Sequence, residues 1–287
     1  MKRLEYSKDG NDDSELDSQK KISNLRLRIL SSLILTPSVL LMIWLGSPWF
    51  EILVSTALVL MWFEWTKMAL GTAYHLCLGF SLLLVLAVLL GSVELFGLAL
   101  FITGIGSLLL YFLTRILKSV GGIANASAFL WIGGTGISLI WLYLASTLGP
   151  KLILWLFVVV WVTDIGAYCF GKLIGGPKLA PIVSPGKTWA GLIGGVSCAV
   201  FWGWLFSSAS GIGTTSHIVL ISGFLAVSAQ MGDLMISRAK RRFSVKDSGN
   251  LIPGHGGMLD RVDGLLGAAP VLSLVILILG GELLKWY

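Results

Sequence analysis

Leu82-Leu83-Leu84-Val85-Leu86-Ala87-Val88-Leu89-Leu90 is an unbroken apolar run, and just upstream only Gly79 and Ser81 interrupt it. A helical bilayer crossing needs about 20 predominantly apolar residues, and similar blocks recur along the whole 287-residue chain. Apolar residues make up 55% of it, charged residues 13%, and the mean hydropathy is +0.86. A soluble domain carries roughly 25% charged residues. Nine candidate spans lie near residues 27–46, 49–70, 74–93, 95–114, 127–147, 151–173, 188–208, 217–237 and 264–284. Each has to satisfy its own backbone hydrogen bonds in lipid, which a helix does. A barrel would need segments of about 10 residues alternating apolar and polar, and the sequence has none. The expected fold is an all-α polytopic membrane bundle of about nine transmembrane helices.

Residues 1–24 are rich in Ser, Asp and Lys. They lack the basic, apolar and small-residue layout of a cleavable signal and read as a disordered cytoplasmic tail. With that tail inside, alternate loops collect 19 basic residues on its side and only Lys151 and Lys285 on the other. The positive-inside rule then puts the N-terminus in the cytoplasm and the C-terminus outside. The net charge of +6 is a topology signal that also suits anionic lipid, and nucleic acid is not an expected partner. Cys77, Cys169 and Cys198 are isolated and lack metal-ligand spacing. Packing is their expected role.

The first half holds few intramembrane charges. Glu51, Glu64 and Glu94 are expected at interfaces or beside local partners. Trp44, Trp49, Trp62 and Trp65 cluster near span ends as an aromatic belt would. Gly133, Gly134, Gly136, Gly191 and Gly195 suit close helix packing. Residues 25–149 therefore read as a scaffold that could also dimerise, and residues 150–287 as the catalytic region. No solenoid or inverted repeat is visible.

The second half carries the chemistry. Asp164 and Asp233 fall inside spans, where an ionisable residue is costly and functional by default. Ser237 follows Asp233 at i+4, on the same helix face. Asp164 lies about 12 Å below the cytoplasmic end of its span, and Asp233 about 7–8 Å from Arg238. Lys187 stands at the start of the seventh span, and Asp260 and Asp263 at the start of the ninth, three residues apart and facing alike if helical. Four carboxylates so gathered would repel or protonate. A hard cation with oxygen ligands, magnesium above all, resolves that conflict. The alternative is a set of Asp–Lys and Asp–Arg pairs using Lys187, Lys240 and Arg261.

The stretch Arg238-Ala239-Lys240-Arg241-Arg242-Phe243-Ser244-Val245-Lys246-Asp247-Ser248-Gly249-Asn250-Leu251-Ile252-Pro253-Gly254-His255-Gly256-Gly257-Met258-Leu259-Asp260-Arg261 reads as a loop with too much chemistry for a connector. Its basic residues could neutralise phosphates. Gly254, Gly256 and Gly257 would let backbone N–H groups approach an anion. Gly186-Lys187-Thr188 resembles the end of a P-loop, but Pro181 stands where that motif needs its first glycine.

At these residues the chain resembles the phosphatidate cytidylyltransferases, also called CDP-diacylglycerol synthases. Ser237, Lys240-Arg241, Lys246-Asp247, Pro253, His255-Gly256-Gly257, Asp260-Arg261 and Asp263 match the family pattern in order and spacing. The segments from Trp161 to Tyr168 and from Ser184 to Trp189 look like it too. Ala239 replaces a usually bulkier apolar residue, and Ala190 stands where many members have Glu, so no carboxylate role carries over there.

The resemblance implies condensation of CTP with phosphatidate into CDP-diacylglycerol and pyrophosphate, with magnesium and room for a second cation. It assigns metal binding to Asp233, Asp260 and Asp263, with Asp164 a weaker member. Lys187, Lys240, Arg241 and Arg261 become phosphate contacts. Ser184, Ser237, Lys246, Gly256 and Gly257 line the substrate site, within a signature loop at 237–263. His255 would donate to the leaving group or shape the loop. A homodimer in a bacterial inner membrane, active site toward the cytoplasm, is the implied setting. The rival is a transporter or ion channel, since buried Asp and Lys also mark ion paths. Transport requires polar residues onward to the opposite face, and residues 152–160 offer only Trp155 as a polar handle.

A reporter fused after Tyr287 is expected to score as external. A cytoplasmic signal would require one span more or fewer than nine.

Overall fold

The structure is a computed structural model that describes residues 27, 30–70, 74–117, 121–145, 148–210, 214–251 and 256–279. The expected tail at residues 1–24 and the expected site residue His255 lie outside the described residues. Among those described are nine helices: α1 (Leu30–Leu45), α2 (Trp49–Leu70), α3 (Tyr74–Ser92), α4 (Phe96–Ile116), α5 (Gly122–Leu144), α6 (Gly149–Leu173), α7 (Trp189–Ser210), α8 (Thr215–Arg242) and α9 (Leu259–Leu279). Seven of them, all but α1 and α3, are long and apolar enough to cross a membrane. The all-α polytopic bundle read from hydropathy is the architecture observed.

One element departs from it. Strands β1 (Lys178–Ala180) and β2 (Ser184–Thr188) form an antiparallel hairpin, with Lys178 opposite Thr188 and Ala180 opposite Ser184. Gly175 and Gly176 have φ of 68° and 91°, a left-handed backbone that glycine adopts without steric cost. They end α6 and turn the chain into β1. The Trp189 amide donates to Pro177 O at 3.1 Å and ties the hairpin to α7. Lys187 accordingly sits on β2, two residues before α7, at the start of the seventh span as expected but on a strand that was not foreseen.

The long loop expected at 238–261 is shorter. Helix α8 continues to Arg242 and α9 begins at Leu259. Lys240, Arg241 and Arg242 close α8, where cations meet the negative end of the helix dipole.

Helix α5 packs against α2, α3, α4, α6 and α9. Leu58, Met61, Trp62 and Trp65 of α2 are all at most 5% exposed, and their i, i+3, i+4, i+7 spacing forms one inward stripe. Trp62 packs on Phe129 with ring centroids 5.1 Å apart, and Trp65 donates to Asn125 Oδ1 at 3.1 Å. These two tryptophans belong to the core and not to an aromatic belt. Trp44 and Trp49 are exposed, as a belt requires. Pro270 cannot donate a backbone N–H, which leaves Leu266 O without its helical partner. Trp131 Nε1 fills that vacancy at 2.7 Å and pins α5 to α9. Cys77, Cys169 and Cys198 are all free thiols.

Small residues bring helices α6 to α9 together. A Cβ at Gly195 would lie 2.6 Å from Thr163 O, and one at Gly191 2.7 Å from Ala167 O, so α6 and α7 touch backbone to backbone. A Cβ at Gly267 would strike Ser228 O, and one at Gly232 would strike Asp263 O, so α8 and α9 do the same. In lipid, helix association depends on such close approach. Gly133 and Gly136 fulfil the same expectation against Thr103 and Leu58. Gly134 does not: nothing lies within 4 Å of a Cβ there, because it faces an apolar groove of about 520 Å³ between α4, α5 and α9.

Replacing Gly267 by Leu should split α8 from α9, costing about 1–3 kcal/mol or more by overpacking, and Gly134→Ala should be neutral or stabilising by up to about 1 kcal/mol. Thermal unfolding in detergent tests both. Equal stability of the two variants would contradict the packing described.

Candidate active site

The hairpin, α6, α7 and α8 border an open cavity of about 370 Å³ lined in part by Asp164, Tyr168, Ser184, Lys187, Gln230 and Asp233. Lys187 is its organising cation. Its Nζ lies 2.6 Å from Asp233 Oδ2 and donates to Gln230 Oε1 at 2.8 Å. Gln230 Nε2 in turn donates to Asp164 Oδ1 at 3.0 Å, and Ser237 Oγ to Asp233 Oδ1 at 3.1 Å. Two of the three ammonium N–H groups are thereby engaged, and one is left for a ligand.

Asp263 completes this charge group from α9. Its carboxylate and that of Asp164 are both repelled by Asp233, and the charges of Lys187 and Arg261 offset the repulsion at Asp164. Asp263 Oδ1 also accepts from Gly264 N at 2.8 Å.

A second group lies beneath the signature loop. Asp260 Oδ1 meets Lys240 Nζ at 2.6 Å, with the two side chains only 10% and 12% exposed. Its Oδ2 accepts from Ser248 N at 2.9 Å, Ser248 Oγ at 2.9 Å and Gly257 N at 3.2 Å. Asp260 and Asp263 therefore do not face alike. Three helical residues leave them about 60° apart, enough to send one into the loop and the other against α8. Lys240, expected on a phosphate, is committed to Asp260. Gly257 offers its N–H to an anion as expected, but that anion is the protein's own carboxylate. Gly256 lies at φ 82° beside it.

The remaining expected residues are spread out. Arg241 is exposed and donates to Val183 O and Val245 O, both at 3.4 Å, which ties the end of α8 to the hairpin turn. Lys246 and Arg261 are exposed. The pairing alternative holds for Asp233 and Asp260, each with its lysine.

Among the described residues no group of three or more His, Cys, Asp or Glu stands at metal-binding separation. Magnesium does not need one: it retains several waters and uses one or two carboxylates. Asp164, Asp233 and Asp263 offer oxygen donors whose mutual repulsion a cation would relieve, and Asp164 and Asp233 open onto the cavity. One or two of these carboxylates, together with water, are oxygen donors of the kind magnesium takes. Asp233 and Asp260 each hold a lysine at 2.6 Å, but only Asp233 opens onto the cavity.

Two functional positions escaped the sequence reading. Gln230 bridges Lys187 to Asp164; its trace was a polar amide inside a span, one helical turn before Asp233. Glu64 was assigned to an interface or a local partner, yet it is 1% exposed and accepts from Ser248, Met258 and Leu259, 184 to 195 residues away. Glu51 is also buried, with Oε2 unpartnered, whereas Glu94 is exposed in the turn between α3 and α4.

The model of the Cytidylyltransferase family matches residues 26–279. A Brucella suis protein named phosphatidate cytidylyltransferase is 38% identical over 257 residues, 88% of this chain and 93% of the relative. One of that name from Rickettsia bellii is 34% identical over 268 residues, 91% and 94% of the two chains. Another from Staphylococcus saprophyticus is 40% identical over 147 residues, 51% and 56%. With the family match running from before α1 to the end of α9, this chain belongs to the cytidylyltransferase family.

Proposed function

We propose that this chain condenses CTP with phosphatidate, forming CDP-diacylglycerol and pyrophosphate. The observation that carries the reading is Lys187, held by Asp233 and Gln230 with one donor turned to an open, carboxylate-lined cavity. A phosphate oxygen of phosphatidate attacks the α-phosphorus of CTP, and the bond from that phosphorus to the β-phosphate oxygen breaks. The attacking phosphate is already anionic near neutral pH, so the site has to supply positioning and charge neutralisation more than a strong base. Lys187 meets a triphosphate oxygen, and Gln230 and Asp233 hold it there. Ser184 on the hairpin bounds the cavity beside it.

Asp233 and Asp263, with Asp164, would hold magnesium, and a second cation enters this proposal only from the family resemblance. When bound, the metal neutralises charge building on the pyrophosphate. Arg261, whose charge acts on Asp164, and Lys246 are both exposed and are the further phosphate contacts in this reading. The family resemblance supports a homodimer, the bacterial relatives support a bacterial inner membrane, and the 19-to-2 division of basic residues supports a site facing the cytoplasm. Transport finds no support. Beyond Asp164 the inward side of α6 is Leu152, Ile153, Trp155, Leu156, Val159 and Val160, each at most 4% exposed and packed into the core.

Purified protein is expected to release pyrophosphate only when both CTP and phosphatidate are present. Release with either substrate alone would contradict the reaction. Lys187→Ala should lower kcat/KM for CTP at least tenfold while the protein stays folded; unchanged kinetics would return Lys187 to a topology residue. Asp263→Asn should lose turnover or raise the magnesium requirement at near-normal stability. Asp260→Asn should differ from it by also losing about 1–3 kcal/mol, because Lys240 is left buried beside a neutral partner. Equal stability of these two variants would overturn the division of the aspartates.

A further inference from the structure

Glu64 lies on α2, in the half of the chain that reads as scaffold, and it is 1% exposed. Its carboxylate has three donors, all from the catalytic half. Oε1 accepts from Met258 N at 2.8 Å; Oε2 accepts from Leu259 N at 2.8 Å and from Ser248 Oγ at 2.9 Å. The loop is shaped to admit it. A Cβ on Gly249 would lie 2.8 Å from Glu64 Oε1, and one on Gly257 would run into Glu64 Oε2 and Ser248 Oγ. Ser248 Oγ stands 2.9 Å from Asp260 Oδ2 as well, so its single proton serves one of the two carboxylates at a time.

We infer that Glu64 is a positioning residue for cytidylyl transfer: it clamps both arms of the signature loop, at 248–249 and 257–259, to the start of α9. Through Ser248 it fixes Asp260, whose partner is Lys240. Through the Met258 and Leu259 amides it sets where α9 begins, and so where Asp263, one turn on, meets Asp233. A misplacement of about 1 Å in such a constellation costs on the order of 100-fold in rate. The inference rests on the activity proposed above for the Lys187 cavity. It assigns to α2 a part in that activity although α2 contributes nothing to the cavity wall.

Glu64→Gln tests it at constant shape. An amide oxygen can face only one side, so the NH₂ is set against a backbone N–H or the Ser248 hydroxyl. Hydrogen exchange of the full-length protein should show the Met258 and Leu259 amides exchanging at least tenfold faster, since Glu64 is what protects them. In the same preparation kcat/KM for CTP should fall at least tenfold, with KM for phosphatidate within twofold of wild type. Glu51→Gln, also buried on α2, should change neither. Wild-type exchange at these amides would overturn the inference. So would faster exchange with unaltered CTP kinetics, the mark of a purely structural contact. If Glu64→Gln does not fold, Ser248→Ala replaces it, with a smaller change expected in the same direction in both readouts and no change in either counting against the clamp. Should the wild-type protein itself form no CDP-diacylglycerol, the activity assignment fails and the positioning role falls with it, whatever the exchange at these amides.

Discussion

Helix α9 starts inside protein, and the N–H groups of a first helical turn have no partners within the helix. They must find acceptors from elsewhere in the chain. Here the acceptors are carboxylates: Glu64 for Met258 and Leu259, and Asp260 for Gly257. Negative charge at that end is favoured by the helix dipole as well as by the bonds themselves. The requirement joins α2, the signature loop and α9 at one point. The position of Asp263, and with it one wall of the carboxylate group, follows from how that turn is held.

Around this point the charges divide by what they can reach. Lys240 and Asp260 neutralise one another under the loop, nearly out of solvent. A buried pair contributes little net stability, but removing one partner leaves an uncompensated charge. That makes the pair a structural lock. Lys187, Asp164, Asp233 and Asp263 are instead left with surplus negative charge beside an open cavity. Surplus charge there is costly without a ligand and useful with one, because the incoming cation and triphosphate supply what is missing. Both groups depend on helices packed through glycine, at Gly232 and Gly267 for α8 with α9 and at Gly191 and Gly195 for α6 with α7.

Much of this was legible in the amino-acid sequence. Hydropathy alone identifies a polytopic helical bundle, because lipid forbids unsatisfied backbone. Intramembrane cost singles out Asp164 and Asp233, and the spaced motif from Ser237 to Asp263 marks the family. What stayed hidden were pairings between distant segments. Lys240 reads equally well as a phosphate contact or as the partner of Asp260, and only the fold decides. Glu64 carries the same intramembrane signal as Asp164, but no local feature identifies a partner almost two hundred residues downstream. The hairpin holding Lys187 is too short, at three and five residues, to leave a periodic pattern. Trp62 and Trp65 were recoverable: the α2 stripe of Leu58, Met61, Trp62 and Trp65 marks them as core, against the pull of their place near a span end.

The account turns on where the triphosphate and its cation sit. A crystal structure of the full chain with CTP and manganese, read by anomalous scattering, measures this directly. The account predicts a manganese peak between the carboxylates of Asp233 and Asp263, with the triphosphate in the hairpin cavity and within hydrogen-bond reach of Lys187 Nζ. A peak beside Asp260 with Lys240 displaced, or CTP bound outside that cavity, would contradict it.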